Sequence, residues 1–382
     1  MLIKKSKRLF VSMTALALTF LLCMSLIMGC GSPTSDQTSK PSEELQDSTT
    51  TVIDMVGRKV EVPSKVDRII GIGSSSLRLI SYLEAVNLVV GVELSEHETS
   101  VTKAYNHVYH NVFKDLPVIG DGGSKGVTSD EEAIINAAPH VIFASVDKDT
   151  ADSLYERTGI PVVVLTLSNL VFDQVFYDNV SLVGSIIGKE DRAQAIIGYM
   201  KNIEQDLKTR TSSITGGNVK TAYAAGISFR GGHGFSGTEA NFPPFETVNV
   251  KNIADGAGVE GAFDIDLEKV LSSQPDLIFI ESGNITLVRE DYNSNPDYYA
   301  LLKAVQNGKV YSLIGYRYYA ANIELAIANC YQVGAQAYPA QFSDIDPAKK
   351  LDEITEFFLG KKMYADLAAE GYSFKKLDIT KL

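Results

Sequence analysis

The sequence predicts an α/β protein in which two lobes with mainly parallel sheets are joined by one long α-helix. Short apolar strands alternate with helical stretches over residues 51–188, and the same alternation starts again after residue 213. Strands that alternate with helices favour parallel sheets. Between the two blocks, residues 189–213 have the three-and-four apolar spacing of an amphipathic helix, predicted here to link the lobes. Periodicity alone leaves open an ordinary surface helix of a single domain.

Composition and charge set limits on the function. The chain has 382 residues, 45% of them hydrophobic and 21% charged, which is enough for two globular cores. Residues 1–29 carry four basic residues and no acid, so without them the formal net charge falls from −12 to −16. We therefore expect no nucleic-acid partner. Cys23 and Cys30 lie near the N-terminus, so Cys330 alone can form neither an internal disulfide nor a cysteine-rich zinc site in the body.

Residues 1–29 have the form of an export signal, with a basic start followed by an uncharged, mostly apolar run. The run ends in Ile27-Met28-Gly29-Cys30, which resembles the bacterial lipobox, although leucine is commoner than Ile27. The resemblance implies a lipoprotein signal peptide, lipidation of Cys30, and a protein anchored to the cell membrane on its extracellular or periplasmic side. An uncleaved apolar run that spans the bilayer is the alternative. Residues 30–50 are polar and predicted to be a disordered tether.

The predicted N-terminal lobe, residues 51–188, opens with a β-hairpin around Gly57, followed by a short apolar strand from Ile69 to Ile72. That strand leads into a helix through Ser74, Ser75 and Ser76. Serines favour a helix start, and the amides of such a turn can hold an anion, although serine caps also occur without any ligand. A strand LVVGV then precedes a predicted loop with three histidines whose spacing matches no strong zinc pattern (His97, His107 and His110). Two helix–strand units follow.

The predicted C-terminal lobe, residues 214–382, starts with the strand VKTAYAAGI and a loop, SFRGGHGFSGTE. Its four glycines let the backbone approach a ligand closely while Arg230 and His233 supply donors, and a mobile turn is the alternative. Further helix–strand units follow, and the aromatic stretch GYRYYAANIELA opens a helix.

One pattern occurs in both lobes. Glu132 stands seven residues before Pro139, and Glu268 stands seven residues before Pro275. Each time the order is polar cap, helix, proline and apolar strand. A glutamate on a helix before a proline is common enough for coincidence, but the shared context indicates that the lobes are related units.

Together these pieces are similar to the helix-linked class of solute-binding proteins of bacterial ABC importers, the periplasmic-binding family of iron-siderophore, haem and cobalamin uptake. The similarity extends from Thr51 to about Gly360. It implies two Rossmann-like lobes with the ligand between them, and neither catalysis nor a resident cofactor or metal. It also implies that Glu132 and Glu268 dock onto arginines of an ABC permease dimer that works with its ATPase.

The resemblance places ligand contacts in loops at the strand ends. The predicted ligand-binding residues are Ser74, Ser75, Ser76, Lys125, Arg230, His233, Asn284, Tyr316, Arg317 and Tyr318. Because the chain has no tryptophan, stacking on a ligand would fall to tyrosines such as Tyr316, Tyr318 and Tyr319, for which core packing is the alternative.

We expect the ligand to be a metal chelate of the iron-siderophore, haem or cobalamin class. A small oxyanion such as molybdate or tungstate is the alternative, because Arg230, His233 and the serine turn suit a small anion as well. A cleft enzyme of chelatase type is the alternative of another class, and its site would combine His233 with Glu281 or Asp121. The lipobox and tether favour a receptor over such an enzyme.

Overall fold

The computed structural model describes residues 48–123, 127–166 and 170–382. The first part of the fold contains β1 (Thr49–Ile53), β2 (Lys59–Pro63), β3 (Ile69–Ile72), α1 (Ser76–Tyr82), α2 (Ala104–Phe113), α3 (Glu131–Ala137), β4 (Val141–Ala144), α4 (Lys148–Thr158), β5 (Val162–Val164) and α5 (Gln174–Ile186). The long helix α6 (Glu190–Thr211) follows.

The second part contains β6 (Thr221–Ala225), β7 (Gly237–Glu239), α7 (Pro243–Glu246), β8 (Lys251–Asn252), β9 (Ala262–Asp264), α8 (Leu267–Ser273), β10 (Leu277–Glu281), α9 (Ile285–Ser294), α10 (Pro296–Ala300), α11 (Lys303–Gln306), β11 (Val310–Leu313), α12 (Ile323–Ala337), α13 (Pro347–Leu359) and α14 (Tyr364–Ala369).

The described fold has two parallel sheets, one with the strand order β3-β4-β5 and one with the order β11-β10-β6-β8. The strand pairs β1-β2 and β7-β9 are antiparallel. Strands β4 and β10 lie inside their sheets and are buried along their whole length, which explains their unbroken apolar sequences. The predicted α/β class with mainly parallel sheets is confirmed.

The repeated glutamate–proline pattern has the same structure in both sheets. The side chain of Asp130 caps α3 by accepting the amide of Ala133 at 2.9 Å, and Asp266 caps α8 by accepting the amide of Glu268 at 2.9 Å. Both helices end in a left-handed residue directly before the proline, with φ 45° at Ala138 and at Gln274. The proline prevents further helix and starts the path into β4 or β10.

Helix α6 lies within the predicted span of 189–213, and its apolar face is buried (Ala193, Ile196, Ile197, Met200, Ile203 and Leu207). These side chains belong to one hydrophobic cluster that also contains Phe143 of the first sheet and Phe279 of the second. The helix packs against α5 and α12. It therefore sits in a core shared by both sheets rather than standing as a free strut, and the division into lobes at 188 and 214 stays a proposal.

Two local predictions were wrong. The segment LVVGV is not a ladder strand, because Val86–Leu88 forms a 3-10 turn and Val89 and Val92 make only isolated bridges. The loop predicted around the histidines contains α2, which carries His107 and His110. Its buried residues include Tyr105 and Phe113, and the polar side chains between them hid the helical period.

The N-terminal predictions fall mostly outside the described residues. The predicted signal peptide (1–29), Cys30 and most of the tether (30–50) lie there, whereas β1 begins at Thr49, within the tether's last residues. From residue 48 onward, the described helices include none long and apolar enough to cross a membrane.

Candidate functional site

A cavity of about 1290 Å³ opens where loops from both parts of the fold meet. One wall comes from residues 94–103 and 121–123. The other comes from the loops after the carboxyl ends of β6, β10 and β11, together with residues near β7 and β9. The carboxyl ends of parallel strands share one edge of a sheet, which is where ligands bind in open α/β folds.

The end of β10 contributes two polar side chains to the cavity, Glu281 and Asn284. Glu281 is only 8% exposed, and its Oε1 accepts a 2.5 Å hydrogen bond from the hydroxyl of Ser228. The amide of Asn284 donates to the carbonyl of Gly226 at 2.7 Å and to Oγ of Ser228 at 2.8 Å. Burial raises the pKa of Glu281.

Arg317, which also lines the cavity, is paired with Glu239. Its Nε donates to Glu239 Oε2 at 3.1 Å, and its Nη2 donates to Glu239 Oε1. Burial raises the pKa of Glu239, while Arg317 opposes the shift. Tyr316, predicted as a ligand contact, is instead buried behind this pair, with the Arg317 guanidinium 5.1 Å from its ring centre. The Arg317 charge is therefore largely neutralised within the protein.

Arg78 of α1 holds the loop after β11 against the first part of the fold. Its Nη2 donates to the carbonyls of Tyr318 and Tyr319, both at 2.9 Å. Its Nη1 donates to Oγ of Ser75 at 3.1 Å, and its Nε donates to Oδ1 of Asn322 at 3.2 Å. The guanidinium is buried, so these charged hydrogen bonds fix the loop that presents the Tyr318 ring, 44% exposed, on the cavity wall.

Two buried charged side chains, Glu93 and Lys103, contact Tyr319 of the same loop. Tyr319, whose φ is 51°, donates its hydroxyl to Oε2 of Glu93 at 2.9 Å. Lys103 lines the cavity, lies 5.7 Å from the Tyr319 ring centre, and forms a 2.9 Å ion pair with Glu96. Burial raises the pKa of Glu93 and lowers that of Lys103. The hydrogen bond between Tyr319 and Glu93 thus joins the two parts of the fold at the cavity.

The serine turn lies apart from the cavity lining. Ser76 is buried, and its hydroxyl donates to the carbonyl of Ile72 at 2.9 Å and lies 3.1 Å from Oγ of Ser145. Ser75, with φ 75°, faces Arg78, and Ser74 is not among the lining residues either. Ser75 and Ser76 thus bond within the protein, and the predicted contact of the three serines with a ligand stays a prediction without support from the cavity.

Of the two predicted ligand contacts in the glycine-rich loop, one lines the cavity and the other does not. Arg230 lines the cavity and is exposed, with φ 51°. His233 does not line it, because its Nε2 lies 2.9 Å from the carbonyl of Phe229 and its Nδ1 lies 3.2 Å from Asp264 Oδ1. The imidazole also stacks on the Phe229 ring at 3.6 Å between centres. His233 therefore braces the loop, and its ring nitrogens face Phe229 and Asp264 rather than Glu281 or Asp121, the partners that the enzyme hypothesis gave it.

Other predicted residues fall elsewhere. Lys125 lies outside the described residues. His97 faces the carbonyl of Leu116 at 3.0 Å, and His107 faces Asp366 at 3.1 Å. Across residues 48–123, 127–166 and 170–382, no group of three or more His, Cys, Asp or Glu side chains is placed to hold a metal ion.

Glu132 and Glu268 are both exposed, and each is the second residue of its helix, α3 or α8. In the described part of the chain neither forms a salt bridge. Both carboxylates are therefore available to a partner.

The lining residues that the sequence prediction missed include Lys103, Phe229, Glu239 and Tyr372. Glu239 pairs with an arginine 78 positions away, and Tyr372 follows the last helix. No local pattern marks such residues, although Phe229 belongs to the loop that its glycines singled out.

A protein family and several known proteins are similar to this chain. A family model described as periplasmic binding protein matches residues 80–315. The Bacillus subtilis (strain 168) protein YvrC, described as an uncharacterized ABC transporter substrate-binding lipoprotein, is 21% identical over 300 residues, which cover 77% of this chain and 87% of YvrC. The Fe(3+)-citrate-binding protein YfmC of the same organism is 23% identical over 183 residues, covering 47% of this chain and 55% of YfmC.

A solved structure, the molybdate periplasmic binding protein MolA of Haemophilus influenzae, superposes with a TM-score of 0.62 at 18% identity. The superposition covers 82% of this chain and 98% of MolA. At that identity the likeness concerns the fold.

Proposed function

The chain belongs to the periplasmic binding protein family, and we propose that it is the substrate-binding protein of an ABC importer. It captures a metal chelate, of the iron-siderophore, haem or cobalamin class, in the cavity. It then delivers this ligand to a permease dimer that works with its ATPase. The names of YvrC and YfmC support the importer and the iron-chelate class.

The main support for the proposal is the cavity itself. At about 1290 Å³ it is larger than the roughly 300–1,000 Å³ typical of small-molecule pockets, so it has room for a chelate. Its walls come from loops of both parts of the fold, and Arg78 ties those parts together. Such a preformed site suits binding without chemistry, and the ring nitrogens of His233, the histidine of the chelatase hypothesis, face Asp264 and Phe229.

A small oxyanion is the second candidate, supported by the fold shared with MolA and by Arg230 on the cavity wall. It is the weaker one, because the space far exceeds a tetrahedral anion and Arg317 is already paired with Glu239.

The lipid anchor on Cys30 and the permease contact complete the proposal. The lipobox-like end of the apolar run and the lipoprotein name of YvrC support the anchor, which would hold the protein at the outer face of the cell membrane. The equivalent, exposed positions of Glu132 and Glu268 on α3 and α8 support docking onto a basic partner.

A single tryptophan can test ligand capture, because the chain has none of its own. Tyr318→Trp places the fluorophore on the cavity wall, and Tyr155→Trp, at a tyrosine 53% exposed on α4, is the matched control away from the lining. The full chain in mild detergent is titrated with ferric siderophores, haem, cobalamin and molybdate, and native mass spectrometry of the wild type checks for bound mass and for product.

We expect saturable quenching by one chelate in Tyr318→Trp only, with the ligand recovered unchanged. Quenching of both tryptophans alike would indicate inner-filter absorption. Saturation by molybdate alone would support the oxyanion, and conversion of a chelate would support an enzyme.

A further inference from the structure

The charges that line the cavity are unbalanced. Among the described lining residues there are five carboxylates and three cations. Lys103 is paired with Glu96 at 2.9 Å, and Arg317 is paired with Glu239. Of the three lining cations that the structure describes, Arg230 is exposed and belongs to neither pair. The space that a ligand would fill therefore has a negative potential.

Three of the remaining lining carboxylates are accessible to solvent. Glu98 and Glu260 are exposed, and Asp121 is half-buried with its Oδ2 accepting the Thr128 hydroxyl at 3.1 Å. Such groups attract cations and repel anions before contact, although salt screens their effect within about 10 Å at 0.1 M.

The fourth carboxylate, Glu281, lies deepest and differs from the others. It is 8% exposed and forms no salt bridge within the described residues, its protein donors being the hydroxyl of Ser228 at 2.5 Å and the Ser228 amide at 3.4 Å. A buried charge without a salt bridge is costly, so burial raises the pKa of this carboxyl, although the Ser228 hydrogen bonds and the charge of Arg317 oppose the shift. A donor or a cation on a bound ligand would relieve that cost.

Glycines keep this carboxylate reachable. A Cβ on Gly315 would stand 3.0 Å from Glu281 Oε1, and one on Gly283 would stand 3.8 Å from it, so side chains at these two positions would crowd the approach. Both glycines line the cavity. The Tyr318 ring, 44% exposed, also lines the cavity and adds a π face that favours cations.

We propose that the cavity selects a chelate bearing a positively charged, hydrogen-bond-donating group, such as a protonated amine, and that Glu281 receives this group. The inference rests on the proposed function as a chelate receptor and narrows its ligand class. Polyanionic chelates and oxyanions are disfavoured by the same lining.

A matched pair of ligands tests this inference. The full chain in detergent is titrated by calorimetry with a ferric trihydroxamate that carries a free primary amine, and with the same chelate after N-acetylation, which removes only the charge. Ferric citrate and molybdate serve as anions. We expect the amine form to bind at least about tenfold more tightly than the acetylated form.

The variant Glu281→Gln keeps the shape and a hydrogen-bond acceptor but removes the charge. It should bring the two affinities to within about threefold of each other while leaving that of the acetylated chelate nearly unchanged. Glu290→Gln, at an exposed glutamate outside the lining, is the control and should keep the preference.

Equal affinity for the amine and acetylated chelates in the wild type, tighter binding of ferric citrate or molybdate, or an unchanged preference in Glu281→Gln overturns the inference. Tight binding of the acetylated form without preference leaves the receptor function intact. Failure of every chelate to bind overturns both.

Discussion

Replacing Arg78 by methionine tests whether the contact between the two parts of the fold depends on one side chain. Methionine keeps an unbranched apolar stem but cannot donate hydrogen bonds. The change removes the bonds to the carbonyls of Tyr318 and Tyr319, both 2.9 Å long, and to the side chains of Ser75 and Asn322. It leaves these buried acceptors without their donor.

The magnitude follows from those contacts. Hydrogen bonds from a charged group contribute about 1.5–3 kcal/mol each, and removal of a buried, multiply bonded charge costs about 3–5 kcal/mol in total. The loop is also strained, because Tyr319 and Ala320 have φ of 51° and 67°, a region that costs a non-glycine residue about 1–2 kcal/mol. We expect Arg78→Met to lower the free energy of unfolding by about 3–5 kcal/mol.

Urea unfolding of the full chain, followed by far-UV circular dichroism because tryptophan is absent, measures this loss. Arg157→Met is the matched control, since Arg157 is half exposed and pairs with Glu131 on the surface at 2.9 Å, a contact worth about 1 kcal/mol at most. In the Tyr318→Trp background, the anisotropy of the tryptophan should also fall when Arg78 is replaced. A loss no larger than that of Arg157→Met, with unchanged anisotropy, would refute the role given to Arg78.

Two further predictions concern docking and pH. The double variant Glu132→Ala, Glu268→Ala should reduce uptake by cells at least about tenfold while the purified chain keeps its ligand affinity, because both exposed carboxylates lie outside the cavity lining and belong to the proposed docking face. Glu61→Ala and Glu290→Ala, at other exposed glutamates, are controls, and equal uptake by all variants would exclude docking there. Burial raises the pKa of Glu324, so its proton stabilises the folded state at low pH and this contribution is lost as pH rises through the folded pKa. Glu324→Gln should therefore weaken the fall in unfolding free energy that we expect of the wild type as pH rises above the ordinary range of a glutamate carboxyl, and parallel pH profiles for the two chains would contradict it.

Local patterns were sufficient for the central strands of both parallel sheets and for the long helix. Buried strands such as Val141–Ala144 and Leu277–Glu281 are short apolar runs after a proline, and Glu190–Thr211 has an unbroken helical period. The helix Ala104–Phe113 was missed because its buried face includes Tyr105 and Asn106, which are hydrogen-bonded to Glu96, a contact that no periodicity reveals.

The site was predictable to the level of loops but not of side chains. Parallel topology places the loops after β6, β10 and β11 at the cavity, so Arg230, Asn284, Arg317 and Tyr318 do line it. Whether another side chain of these loops lines the cavity or turns away from it depends on the backbone conformation and on contacts with residues distant in sequence. Tyr316 is therefore buried beneath Arg317, although it belongs to the same aromatic stretch as Tyr318.

The doubled glutamate–proline unit connects the cavity with the proposed docking face. In the first part of the fold, the lining residue Asp121 receives a hydrogen bond from Thr128, just before the cap of α3, and its amide donates to the same hydroxyl at 3.1 Å. In the second part, the lining segment 260–262 runs through β9 directly into the cap of α8.

Helix α8 thus begins five residues after the lining residue Ala262, and α3 begins three residues after Thr128, which is hydrogen-bonded to the lining residue Asp121. Under the proposed function, the two carboxylates proposed to dock therefore lie on helices whose starts adjoin the cavity wall, one in each part of the fold.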